Sequence, residues 1–154
     1  MVNIKSNKMV ENNPVSEPQL KNLTSFLEKN QHINFAHADL SNPEVVAGFD
    51  WQKFKNQKEE VLDALRAYQR LKKIMPELSQ NTAIALLKAG IHSALQIAAL
   101  PKIKFLHDYA PLFGENPEAI EQFYNQALAI RTQILLQYME VKQANEPHAS
   151  TAKI

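Results

Sequence analysis

The residues able to do chemistry are few and poorly grouped. The histidines are His32, His37, His92, His107 and His148. His32 and His37 stand five apart with Asp39 close by. A metal pair on one helix face needs a spacing of four, and neither an HExxH motif nor a third ligand accompanies them. There is no cysteine, hence no thiol nucleophile, disulfide framework or Cys-ligated zinc or iron–sulfur site. The three glycines stand alone at 48, 90 and 114, so no phosphate loop, nucleophile elbow or dinucleotide fingerprint is present. Glu59, Glu60 and Asp63 alternate with Lys53, Lys55, Lys58 and Arg66. That alternation is the pattern of ion pairs on a helix surface, not of a catalytic acid and base. The expectation is a non-enzymatic protein with no catalytic residue, metal or cofactor.

One stretch remains open, LLKAGIHSALQIAALP at 86–101. Gly90 falls where a left-handed residue ends a helix. Ser93 and Gln96 have capping-box spacing: the serine hydroxyl can accept from the Gln96 amide, and the Gln96 side chain can reach back. Gly90, Ile91, Ser93 and Gln96 therefore predict a helix–corner–helix. DNA-binding hairpins use such a corner to set backbone amides and a helix N-terminus against phosphate. Their turn is Gly-hydrophobic-Gly, whereas here it is Gly90-Ile91-His92, and the Cβ of His92 hinders close approach. The structural reading, with Ile91 in the core, is the stronger of the two.

Charge is divided along the chain although the net value is +1. From Arg66 to His107, seven basic residues face Glu77 alone, a net +6; from Asp108 onward six acids face three basic residues, a net −3. The plain reading is two solvated helix faces that attract each other. The sharper reading is an interaction surface made of Arg66, Arg70, Lys73, Lys88, His92, Lys102 and Lys104.

The elements that must position these residues are helical. Apolar residues make up 45% of the 154 residues, a normal globular share, and glycine is scarce. Ser16 can cap a helix with Leu20, Leu23, Phe26 and Leu27 on one face. Residues 31–41 read as a connector with extended character. Asn42-Pro43-Glu44 combines cap, first-turn proline and acid, and Gly48 ends that turn. Asp50 is placed to cap a helix over 51–75 with Phe54, Val61, Leu65, Tyr68, Leu71 and Met75 inward, stopped by Pro76. Ser79 or Asn81 starts the next helix. After Pro101, Ile103, Leu106 and Tyr109 are expected to face inward, and APLFGE to be a loop. Asn116-Pro117-Glu118 opens the longest helix, with Ile120, Phe123, Ala127, Ile130, Ile134, Tyr138 and Val141 as its core stripe. Phe123, Tyr124 and Tyr138 are expected in the core, not on a stacking platform. The sum is an all-α fold, a compact bundle of five to six helices with a central corner and a long C-terminal helix. A single domain is expected over 17–145, with tails at 1–16 and 146–154. No run reaches the ~18 apolar residues of a membrane span, and no secretory leader is evident in the first residues.

Residues 48–114 resemble a helical segment in the N-terminal shell of the A components of insecticidal toxin complexes and their virulence-plasmid A, neuraminidase-like relatives. The likeness rests on Gly48-Phe49-Asp50, Leu65, Gln69-Arg70-Leu71, Leu86-Leu87, Ala89-Gly90-Ile91, Ser93-Ala94, Ile97-Ala98 and Phe105. With the following helix it covers about 95 residues. That family implies translocation complexes in which this region is helical and non-catalytic. This chain departs by its shortness, having no pore helices or receptor-binding domains. The resemblance therefore implies an accessory, adaptor or cargo of a toxin or injection assembly. The partner would be another protein, in the bacterial cytoplasm or exported within the assembly without a classical signal peptide. The alternative is a small nucleic-acid-binding protein using the corner and the basic stretch 66–104.

Overall fold

The structure, a computed structural model, describes residues 15–144. Both expected tails fall outside the described residues, apart from Val15 and Ser16. The fold is all-α. Among the described residues there are seven α helices: α1 (Glu17–Lys29), α2 (Pro43–Ala47), α3 (Lys58–Ile74), α4 (Gln80–Lys88), α5 (Ala94–Ala98), α6 (Lys102–Tyr109) and α7 (Pro117–Ala144). Short 3₁₀ segments at Gln52–Gln57 and Ala110–Phe113 precede α3 and α7. The five-residue turn after Asn42 and the two short helices after the corner are what bring the α count to seven. The chain divides into two compact units, one ending at Ser93 and the other starting at Ala94.

In the first unit, α1 packs on α3 and α4. The Ser16 hydroxyl accepts from the Gln19 amide at 3.2 Å, and the Gln19 side chain accepts from the Ser16 N–H at 3.1 Å, a complete capping box. Leu20, Leu23, Phe26 and Leu27 are buried, as their spacing predicts. The connector at 31–41 corrects the expectation of extended chain: it is a run of turns that buries Phe35, Ala36 and Leu40. Three apolar residues in eleven suffice to fold it back onto the core. Asn42 caps α2, its side chain accepting from the Glu44 amide at 2.9 Å.

The helix expected from residue 51 begins only at Lys58. The Asp50 carboxylate does accept from the Gln52 amide at 3.2 Å, but the chain then enters a 3₁₀ segment broken at Phe54 (φ −118°, ψ 19°). The reason is tertiary. Phe49, Trp51 and Phe54 all turn toward Phe26, with ring centroids 6.1, 4.7 and 5.9 Å away, and Phe35 lies 5.8 Å from it. A straight α helix from 51 sets Trp51 and Phe54 on one face but leaves Phe49 outside it. Clustering five rings outweighs a regular helix start, since each ring carries a large buried area. The Trp51 indole N–H donates to the Val46 carbonyl at 2.7 Å, so its one polar group is satisfied. From Val61 to Met75 the expected stripe is buried without exception. Met75 is extended (φ −147°, ψ 101°), as a residue before proline should be.

Ser79 caps α4, accepting from the Thr82 amide at 3.1 Å. Gly90 has φ +90°. Its N–H reaches the Leu87 carbonyl at 3.0 Å and the Ile91 N–H reaches Leu86 at 2.9 Å. Those two bonds form a Schellman motif, and Ile91 is buried beside it. The end of α4 is thus specified as its sequence predicts.

In the second unit, α5 and α6 pack on the first half of α7. Here the expected inward set needs correction. Ile103 is 83% exposed, and the core residue of α6 is Phe105, fully buried against Tyr109, Phe123 and Tyr124 at 5.0–6.3 Å. An eight-residue helix turns only one narrow side inward, and the large ring takes it. APLFGE is not an open loop: Ala110–Phe113 is a 3₁₀ turn that buries Phe113, closed by Gly114 and Glu115 at φ +68° and +57°. The Tyr124 hydroxyl donates to the Leu100 carbonyl at 2.6 Å.

Candidate functional site

The seven candidate surface residues fall in different settings. Lys88 lies 3.8 Å from Glu17, Lys102 2.9 Å from Glu121 and Lys104 3.1 Å from Asp108. All three pairs are exposed and contribute little stability, but each offsets a cation that the linear charge count leaves uncompensated. Asp108 is held below the usual carboxylate range by its hydrogen bonds to His107 and then to Lys104. His92 is half-buried and contributes its backbone carbonyl, which accepts from Arg70 Nε at 3.1 Å. Of the helix-surface carboxylates, only Asp63 is paired among the described residues, with Arg66 at 2.9 Å.

Arg66, Arg70 and Lys73 are different. They lie at i, i+4 and i+7 on one face of α3, and together they line a cleft of about 580 Å³. Its other wall is the chain from His37 to Ser41. That wall is pinned by Gln69, whose side-chain amide donates to the carbonyls of Phe35 (2.8 Å) and Ala38 (2.6 Å). Within it, Asp39 accepts from the Ser41 hydroxyl at 2.6 Å and from its amide at 3.1 Å. Those bonds, and more weakly the charge of Lys73, lower the Asp39 pKa. Partial desolvation and the neighbouring Arg66 cation lower that of Arg70. Among the described residues Arg70 has no carboxylate partner within ion-pair distance. The i, i+4, i+7 spacing of the cations was readable in the sequence. The opposing wall was not, because residues 37–41 carry no periodic signal.

The second feature is α7. Ile120, Phe123, Tyr124 and Ala127 are buried. From Arg131 to Ala144 every residue is exposed, which corrects the expected core stripe: it stops at Ala127, with Ile130 at its margin. Fourteen residues of helix, about 20 Å, therefore contribute no buried side chain to the core of the described residues. This segment is not polar. Ile134, Leu135, Leu136, Tyr138, Met139 and Val141 are all exposed, Tyr138 at 63% and Val141 at 60%. At 100° per residue, Val141, Ile134, Tyr138, Leu135 and Met139 share one arc of about 160°. Arg131 and Lys142 project from the middle of that arc, one at each end of the segment along its axis, and Glu140 lies opposite Arg131.

No protein-family model, curated protein or solved structure matches this chain. Among the described residues no three of His, Asp and Glu converge as a metal site would require, and no helix is long and apolar enough to cross a membrane.

Proposed function

We propose that this chain is a non-enzymatic interaction and assembly module, and that the exposed half of α7 is its contact surface. The observation that carries the reading is the apolar arc Ile134, Leu135, Tyr138, Met139 and Val141 on a helix with no core beneath it. An exposed apolar patch of this kind, with a cation at each end of the segment, marks a partner site. Ile134, Tyr138 and Val141 have the i, i+4, i+7 spacing of a helix laid into a groove. The arc's five side chains, each about half exposed, supply a large part of the ~800 Å² per partner of a standard interface. The occupant we infer is an apolar groove on a different protein with acidic ends. Arg131 and Lys142 lie on this face at the two ends of the segment. A second copy, parallel or antiparallel, sets cation against cation at both ends, whereas acidic ends attract both. The resemblance of 48–114 to toxin-complex A components supports an accessory, adaptor or cargo role in such an assembly.

The test pairs the wild-type chain with a Leu135→Glu/Tyr138→Glu variant against each protein encoded beside it. Saturable binding to one of them, weakened at least tenfold in the variant, supports the reading. Wild-type chain that binds none of them ends it. Light scattering that reports a dimer broken by the variant makes a second copy the occupant instead. Nucleic-acid binding by the stretch 66–104 has weaker support, since Arg66, Lys88, Lys102 and Lys104 already sit beside carboxylates. Phosphate contacts release counterions, so binding to an oligonucleotide at low salt that collapses as salt rises would revive that alternative.

A further inference from the structure

The cleft between α3 and residues 37–41 has properties that a solvated helix face does not need. Arg66, Arg70 and Lys73 are stacked on one face of α3, and like charges four apart destabilise a helix. An ordinary surface interleaves acids to offset this, as Lys102 with Glu121 and Lys104 with Asp108 do elsewhere. Here the only acid lining the cleft is Asp39, whose Oδ1 accepts both Ser41 bonds, against three cations. Asp63 meets Arg66 from outside the cleft lining. Arg70 uses Nε on the His92 carbonyl, which fixes the direction of the guanidinium and leaves its two terminal nitrogens as donors. The facing wall is held in place by two Gln69 hydrogen bonds, so the cleft is formed in advance of any ligand. Its volume of about 580 Å³ suits a small organic molecule.

We propose that this cleft binds a small molecule carrying a multiply charged oxyanion, phosphate or carboxylate, held by Arg66, Arg70 and Lys73. Arg70 supplies the planar, bidentate geometry that matches such a group, with Arg66 and Lys73 one turn to either side. The Gln69-Arg70-Leu71 triplet then has three separate tasks: Gln69 sets the wall, Arg70 takes the anion and Leu71 anchors the helix in the core, fully buried. This site is independent of the α7 surface and stands or falls without it.

The experiment is calorimetric titration of the full chain with pyrophosphate and with citrate, at constant ionic strength set by sodium chloride. The two probes distinguish phosphate from carboxylate as the anion source. Saturable binding of either is expected, weakened at least tenfold by Arg70→Gln and by Lys73→Gln. Lys73 is exposed and makes no hydrogen bond among the described residues, so its variant keeps the fold and tests the site if Arg70→Gln does not. Heats of dilution alone for both probes, or binding that neither substitution changes, would overturn the proposal.

Discussion

Asn30 does the most for its size. It ends α1 and is 1% exposed, the only buried polar side chain among the described residues. Its Nδ2 donates to the carbonyls of Phe26 (3.0 Å) and Asp50 (3.3 Å), and its Oδ1 accepts from the Asp50 amide at 2.8 Å. It thereby clamps the end of α1 to the Gly48-Phe49-Asp50 turn, which in turn delivers Phe49 and Trp51 to the aromatic cluster. Asn30→Ala leaves the partly buried Asp50 amide without its acceptor. The expected loss is about 1–3 kcal/mol, read as a lower urea midpoint at unchanged slope. The Gly48-Phe49-Asp50 motif thus has a physical role here that is structural: Gly48 closes α2, Phe49 fills the core, and the Asp50 backbone answers Asn30.

At the scale of the element, α7 is two helices in one. Its first half is a core helix whose buried face meets α5 and α6; its second half has the same apolar composition and is exposed throughout. The energetics of substitution should split accordingly. Phe123→Ala removes a fully buried ring and should cost about 3–5 kcal/mol. Tyr138→Ala removes an exposed one and should change stability by no more than about 0.5 kcal/mol. Chemical denaturation of the two variants checks this directly. If Tyr138→Ala destabilises the isolated chain as Phe123→Ala does, the second half of α7 is a core element and not a contact surface. The 3₁₀ start of α3 makes a complementary point. Asp50 accepts from the Gln52 amide but caps neither the 3₁₀ segment nor α3, whose cap residues are Trp51 and Gln57, because a cluster of aromatic rings redirects the chain between them.

For the molecule as a whole, charge is balanced more finely than a count along the chain suggests. The basic middle is divided among three ion pairs, one cleft and one pair within α3. Asp39 and Asp108 both titrate below their ordinary value of 3.8 because they accept hydrogen bonds in the fold. A carboxylate with a lowered folded pKa binds fewer protons folded than unfolded. Its contribution is fully present above 3.8 and is lost as pH falls through the folded value. Stability should therefore decline below about pH 4, and an Asp39→Asn/Asp108→Asn variant should show a shallower decline in acid melts.

Helix type, the Ser16 and Asn42 caps, the helix end at Gly90 and the α3 stripe were determined by the amino-acid sequence alone, while the choice of Ser79 over Asn81 as a cap came from the structure. Each depends on residues within one or two turns, where side-chain chemistry and backbone sterics act without long-range help. What only the tertiary structure decided depends on what lies opposite. Ile134, Tyr138 and Val141 repeat the period of Phe123 and Ala127, and periodicity reports an apolar face without saying whether anything covers it. Arg66, Arg70 and Lys73 share a face by spacing, but the wall that turns a face into a cleft comes from residues 37–41, some thirty positions away and held there by Gln69. Burial is a relation between elements, and a sequence pattern describes one element at a time.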